Sequence, residues 1–131
     1  MTERQSIVPK GMEAVYETSH FSPAVKVGNL LFVSGQVGRN NARNEIPDEP
    51  VAQIEQAFAN LAQVLEAAGA RFADVVEIVT YHVAIHDQIA QFRAIKDRHF
   101  PSHYPAWTAI GVAALAHPKM VFEIKCTAVL P

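Results

Sequence analysis

The pattern of hydrophobic and polar positions predicts a β-hairpin near the start of the chain. Val25-Lys26-Val27 alternates, Gly28-Asn29 is typical of a tight turn, and residues 30–33 form an apolar run that ends at Ser34-Gly35-Gln36. An apolar run without alternation indicates a strand that is buried on both faces. Residues 38–49 are rich in Asn, Pro and charge, which predicts an exposed loop.

The next segment predicts an amphipathic helix. It begins near Asp48 or Glu49, with Pro50 in its first turn and Gly69 just past its end. The residues at helical spacing that form its apolar side are Val51, Ile54, Phe58, Leu61, Leu65 and Ala68. The residues left on its polar side are Gln53, Glu55, Gln56, Asn60, Gln63 and Glu66.

The second half of the chain predicts a strand, a helix and two final strands. The strand runs from Val75 to Ile85, and Asp87 is placed to cap the helix. The apolar face of that helix carries Ile89, Phe92, Ile95 and Phe100. The final strands run from about Ala106 to Leu115 and from Met120 to Leu130. This order predicts an α+β fold with a mixed sheet and two helices on one face, and neighbouring strands joined through a helix should be parallel.

The last predicted strand separates into two unlike sides. One side is wholly apolar and consists of Met120, Phe122, Ile124, Cys126, Ala128 and Leu130. The other side is mixed and consists of Val121, Glu123, Lys125, Thr127 and Val129. Two helices cover only one sheet face, yet further apolar strand residues are present, namely Val33, Val79, Val83, Ile110 and Val112. We therefore expect a closed homo-oligomer that packs sheet against sheet, with Glu123 near the interface.

Composition narrows the class of protein. The chain has 131 residues, which predicts one domain over 1–131, and its 18% charged residues with a net charge of -2 give no electrostatic footprint for nucleic acid. Cys126 is the single cysteine, so an intramolecular disulfide is excluded, and a small buried residue is the simpler interpretation of it. No apolar stretch has signal-peptide or membrane-spanning length, so a soluble, unprocessed, cytoplasmic protein is expected.

Two residues near the end of the chain suggest a small-molecule pocket. Glu123 lies between apolar neighbours in a strand, where a carboxylate is costly to bury unless it is paired or functional. Trp107 lies in the preceding apolar strand, where Gly111 permits close approach to the backbone. The alternative for Glu123 is a structural ion pair with Arg93 or with Lys125 of a neighbouring subunit.

Other chemistry is less well supported by the sequence. His82 and His86 are about 13 Å apart if the strand continues, which is too far for two ligands of one metal ion. His99 and His103 are separated by Pro101, so no helix carries both. Ser34 lacks the flanking pattern of a nucleophile elbow, and no glycine-rich phosphate loop is present.

Several strings in order resemble the RidA/YjgF family of reactive intermediate deaminases, formerly called endoribonuclease L-PSP. They are Val33-Ser34-Gly35-Gln36-Val37, Glu66-Ala67-Ala68-Gly69-Ala70, Thr80-Tyr81-His82-Val83, Tyr104-Pro105-Ala106 and Phe122-Glu123-Ile124. The resemblance runs from about Phe21 to Val129. It implies a chorismate-mutase-like α+β subunit and a homotrimer with a central β-barrel and clefts between subunits.

The resemblance also implies a chemistry and a set of site residues. Family members hydrolyse enamine or imine products of amino-acid dehydratases to 2-oxo acids and ammonia, without a cofactor. Glu123 matches the glutamate that positions water, and Gly35 matches a glycine whose backbone contacts ligand. Phe21 stands where a tyrosine often lines the cleft. The arginine that binds the substrate carboxylate is replaced by Trp107, which offers one N–H and no charge.

The tryptophan string resembles a divergent, YjgH-like branch of the family, and it leaves two functions open. The first is a deaminase-like hydrolase with Glu123 as the catalytic residue and a binding set of Trp107, Thr108, Gly35, Phe21 and Arg93. Arg93 is equally consistent with a solvated helix position, and that is the simpler interpretation. The second is a binding or sensing trimer without turnover, which the missing arginine favours. The ribonuclease label of some relatives is disfavoured by the acidic balance.

Overall fold

The computed structural model describes residues 3–131, and their elements follow the predicted order with two additions at the start. The strands are β1 (Arg4–Ile7), β2 (Ala24–Val27), β3 (Leu30–Val37), β4 (Val75–His82), β5 (Ala106–Gly111) and β6 (Phe122–Val129). The helices are α1 (Glu13–Glu17), α2 (Pro50–Ala67) and α3 (Ile85–His99), with a short 3-10 turn at Phe72–Asp74. The short β1 and α1 were missed because neither carries a periodic apolar pattern.

All six strands form one mixed sheet in the order β1-β2-β3-β6-β4-β5. Every pairing is antiparallel except that of β4 with β5, which is parallel and is connected through α3. The prediction that a helical crossover joins parallel neighbours is therefore confirmed. β5 is an edge strand of the sheet.

One face of the sheet is covered by α2 and α3. Phe92 of α3 lies 6.0 Å from Phe58 of α2 and 5.3 Å from Phe122 of β6, measured between ring centroids. One register row on this face joins Val33, Cys126, Ile78 and Trp107, so these four side chains share the helix-covered side. The predicted α+β fold with both long helices on one face is confirmed.

The opposite face has no helix over it and is called the open face below. Its matching register row joins Val37, Glu123, Tyr81 and Ile110 across four strands. Large apolar side chains remain exposed on the surface of the chain, among them Leu30 39%, Phe32 48%, Val76 48% and Ile110 38%.

The hairpin differs from its prediction in burial. Leu31 and Val33 are buried, whereas Leu30 and Phe32 are exposed, so residues 30–33 are not buried on both faces of a single subunit. Val33 had been assigned to the surplus apolar surface, but it belongs to the core under the helices. The loop at 38–49 was predicted to be exposed, but only half of its residues are, and Gly38 and Ile46 are buried.

Helix α2 has the predicted bounds but a different division of its sides. Val51 is 38% exposed, while Gln53 and Asn60 are buried. Gln53 donates to the carbonyls of Pro47 and Lys119 and accepts from the N–H of Val121, so each of its buried groups has a partner. These bonds attach α2 to the start of β6.

Three element boundaries differ from their predictions. β4 ends at His82 rather than Ile85, because Ala84 adopts a left-handed conformation with φ 61° and α3 begins directly after it. Asp87 lies inside the first turn of α3 and does not cap it. β5 ends at Gly111 rather than Leu115. Among the described residues, no helix has both the length and the apolar character needed to cross a membrane.

Candidate functional site

Glu123 lies on the open face in β6, between Val37 of β3 and Tyr81 of β4. Burial raises the pKa of its carboxyl above the usual value of 4.5. The salt bridges of residues 3–131 involve other carboxylates, so neither Arg93 nor Lys125 of the same subunit is paired with it. An unpaired carboxylate with a raised pKa is suited to accept a proton.

The Glu123 carboxylate occupies the space where a side chain at position 35 would lie, and glycine at that position keeps this space free. The register of β3 against β6 advances three residues from Val33 to Gln36 on β3 but only two on β6, which is a β-bulge. A Cβ added to Gly35 would lie 2.6 Å from Cδ and 3.0 Å from Cγ of Glu123, and closer still to Oε2. The bulge and the missing side chain together set the position of the carboxylate.

Phe21 is held near Glu123 because the two residues after it accept hydrogen bonds from Ser34. The Ser34 hydroxyl donates to the Ser22 carbonyl at 2.6 Å, and the Ser34 N–H donates to the Pro23 carbonyl at 2.9 Å. Phe21 is 49% exposed. With Gly35 and Glu123 it lines a depression of about 450 Å³ on the open face. The structure therefore brings three of the predicted site residues together.

A second depression, of about 300 Å³, meets the first at the same three residues. Arg39 and His117 also line it. Neither residue was predicted as part of a site, because both lie in connecting segments and no motif marks them. We call this cavity the Arg39 pocket.

Trp107 lies on the other face of the sheet. Its indole N–H donates to Thr80 Oγ1 at 2.9 Å. Gln88 Oε1 can only accept, so His82 donates to it from Nδ1 at 3.1 Å, and Nε2 of the neutral ring accepts from the Thr80 hydroxyl at 2.8 Å. Gln88 completes this chain by donating to the carbonyls of Val83 and Val121. The one hydrogen-bond donor of Trp107 is thus used inside the subunit.

The ring of Trp107 packs against one aromatic ring and two cationic side chains. It lies 5.3 Å from the Phe92 ring, 5.8 Å from Cζ of Arg93 and 5.4 Å from Nζ of Lys96. Arg93 itself is exposed. Within one subunit, Trp107 and Arg93 are consequently on the opposite side of the sheet from Glu123.

Thr108 belongs neither to the depression at Glu123 nor to the cluster around Trp107. It is exposed in β5 and shares an open-face row with Val79 and Lys125.

The remaining nucleophile and ligand candidates have structural roles. Burial raises the pKa of the Cys126 thiol to about 12, and Lys125 points away from it, so the interpretation of Cys126 as an inert core residue is confirmed. His82 is buried, and desolvation lowers its pKa. His99 is stacked on Phe58 at 4.4 Å. Within residues 3–131, no group of three potential ligands could hold a metal ion.

Comparison with known proteins identifies similar chains. The sequence profile of the family described as endoribonuclease L-PSP matches residues 11–130. The chain is 38% identical to the RutC family protein YjgH of Escherichia coli, over 100% of this chain and 98% of that protein. It is 39% identical to a 2-iminobutanoate/2-iminopropanoate deaminase of Dermatophagoides farinae, over 84% and 85% of the two chains. A solved structure titled protein YJGH superposes with a TM-score of 0.89 at 36% identity, covering 98% of each chain.

Proposed function

The chain belongs to the endoribonuclease L-PSP family, which includes the RidA/YjgF proteins, and on that premise we propose that it hydrolyses a small enamine, imine or related C=N compound without a cofactor. The observation that carries this proposal is the unpaired carboxylate of Glu123, half-buried beside the glycine bulge at Gly35. Relatives named as imine deaminases support the reaction class.

The proposed reaction needs one base and one water molecule. Glu123 accepts a proton from water while the water oxygen bonds to the C=N carbon, and the π electrons move to the nitrogen. Glu123 passes this proton to the nitrogen, which gives a carbinolamine. As the C–N bond breaks, the hydroxyl proton passes through Glu123 to the leaving nitrogen, the carbonyl forms, and ammonia is released. One C=N compound and one water thus give one carbonyl compound and one ammonia.

The complete site is proposed to lie between subunits of a homotrimer. Leu30, Phe32 and Ile110 leave exposed apolar surface on the subunit that a partner would bury. Trp107 lies on edge strand β5, on the face opposite Glu123. The two residues can contribute to one cleft only if they come from different copies. Light scattering that shows a monomer at micromolar concentration would contradict this assembly.

Ammonia release tests the reaction. Imines are generated in situ, and ammonia is measured for the wild type, Glu123→Gln and the control Glu66→Gln, which changes an exposed glutamate on α2. We expect the first variant to lose at least about 100-fold in turnover and the control to keep full activity. Equal activity in Glu123→Gln would remove this residue from the mechanism.

A second function is favoured by Trp107. Because it carries no charge and its N–H is bonded to Thr80, it cannot hold a substrate carboxylate. The chain would then be a trimer that binds or senses a small metabolite without turnover. Saturable binding without ammonia release from acidic or neutral imines would favour this function over hydrolysis.

A further inference from the structure

Arg39 lies in a fixed position although it follows the bulged strand into a loop. The buried Asn60 side chain donates to the carbonyls of Val37 and Arg39, at 2.9 and 2.8 Å. Val37 is also the register partner of Glu123. Two residues of backbone span at most about 7 Å, so the Cα of Arg39 lies within that distance of the β3 position opposite Glu123.

The guanidinium of Arg39 has an unused donor. Its Nε is buried and has no hydrogen-bond partner among the described residues. It forms no salt bridge there, although Glu45 and Asp48 line the larger depression on its other side, and Asp48 is paired with Lys119 at 3.0 Å. A buried charged group without a partner is unfavourable, and because solvent does not reach Nε, an anionic ligand would pair with the guanidinium through its outer N–H groups.

His117 adds a second donor to the Arg39 pocket. The backbone N–H of Lys119 donates to Nδ1 of His117 at 3.0 Å, so that nitrogen carries no proton. The neutral ring therefore carries its proton on Nε2. Arg39 and His117 both line the Arg39 pocket, which Glu123 lines as well, so a guanidinium and an imidazole border the same cavity as the carboxylate.

We propose that Arg39 binds the carboxylate of the substrate from within the same subunit, in place of the arginine that Trp107 replaces. The inference rests on the proposed function for its substrate class, which is a small compound with both a C=N group and a carboxylate. The C=N carbon lies at Glu123 and the carboxylate at Arg39 and His117. The Arg39 pocket has a volume of about 300 Å³, which is ample for such a compound.

Equilibrium binding tests the inference without turnover. The probes are 2-oxobutanoate and its neutral isostere 2-oxobutanamide, titrated by calorimetry into wild type, Arg39→Gln, Glu123→Gln and the control Arg43→Gln, an exposed arginine of the same loop. We expect Arg39→Gln to bind 2-oxobutanoate about 10- to 100-fold more weakly and Arg43→Gln to bind it like the wild type, whereas Glu123→Gln reports the contribution of the other end of the site. The amide should bind weakly to every variant.

The outcomes separate this inference from the proposed reaction. Arg39-dependent binding of 2-oxobutanoate supports it even if no variant releases ammonia. Wild-type affinity in Arg39→Gln, or no preference of the wild type for the acid over the amide, would overturn it. If Arg39→Gln does not fold, Arg39→Lys serves instead, because it keeps the charge but loses the planar fork, and an intermediate affinity is then expected.

Discussion

Replacing Gly35 by alanine tests whether the bulge positions the Glu123 carboxylate. The backbone of Gly35 is not in the left-handed region, unlike Gly11, Gly28 and Gly69, so alanine fits its conformation. The added Cβ would nevertheless meet Glu123 Cδ at 2.6 Å. Carbon atoms pack at about 3.5 Å or more, so the carboxylate must move by roughly 1 Å.

The expected loss is in activity rather than in stability. A displacement of about 1 Å at a reacting group can cost about 100-fold in rate. The displaced atoms are the far end of a flexible side chain on a half-exposed residue, so the free energy of unfolding should change by less than about 1 kcal/mol. The pKa of Glu123 should also fall toward its usual value as the carboxyl moves into solvent.

The assay combines ammonia release, urea denaturation and an NMR titration of Glu123. Gly69→Ala is the matched control, because φ +77° at Gly69 disfavours alanine and that glycine has open space around it. It should lose about 1–2 kcal/mol of stability with no change in activity or in the Glu123 pKa. Full turnover and an unchanged Glu123 pKa in Gly35→Ala would refute the role assigned to the bulge.

Four further substitutions or conditions test the same reasoning. Burial raises the pKa of Glu123, so this residue ionises at a lower pH in the unfolded chain than in the folded chain. Its contribution to the free energy of unfolding is therefore lost as pH rises from 4.5, and Glu123→Gln should raise the thermal midpoint at pH 7. The pKa of His82 is lowered, so the unfolded state binds protons first and the urea midpoint should fall as pH drops below 6.5. Thr80→Val leaves the indole N–H of Trp107 unpaired and should cost about 1–3 kcal/mol in urea denaturation, with no loss contradicting the hydrogen-bond chain. Phe32→Asp, on the exposed apolar surface, should convert the proposed trimer to monomers in sedimentation.

Much of the fold was predictable because local patterns agree with the final packing. The stripe of α2 and the alternation of β6 each repeat over enough residues to define a covered face. The structure confirms the alternation of β6 and the central residues of the α2 stripe, but not Val51. Gln53 and Asn60 were misassigned because a polar side chain can be buried when distant backbone groups become its partners. Those backbone partners lie outside α2, so the spacing of polar residues along the helix cannot predict them.

The candidate site was predictable only in part, for a related reason. Family strings indicated Glu123, Gly35 and Phe21, and these three line one depression. Their spacing alone did not show that Trp107 faces the helices, since that depends on the parallel register of β5 against β4. Arg39 was missed because its importance comes from a cavity, and a cavity is formed by segments that are remote in sequence.

Trp107 and Glu123, which were predicted to act together, differ in whether their polar groups have hydrogen-bond partners. Trp107 has its single donor bonded and its ring packed, which a stable fold alone would explain. Glu123 has no partner in the subunit and a pKa shifted against ionisation, so it costs stability where a neutral residue would not. Natural chains keep such unfavourable groups mainly where they serve function. The same argument applies to the orphaned Nε of Arg39, so the two unsatisfied charges mark the two ends of the proposed binding site.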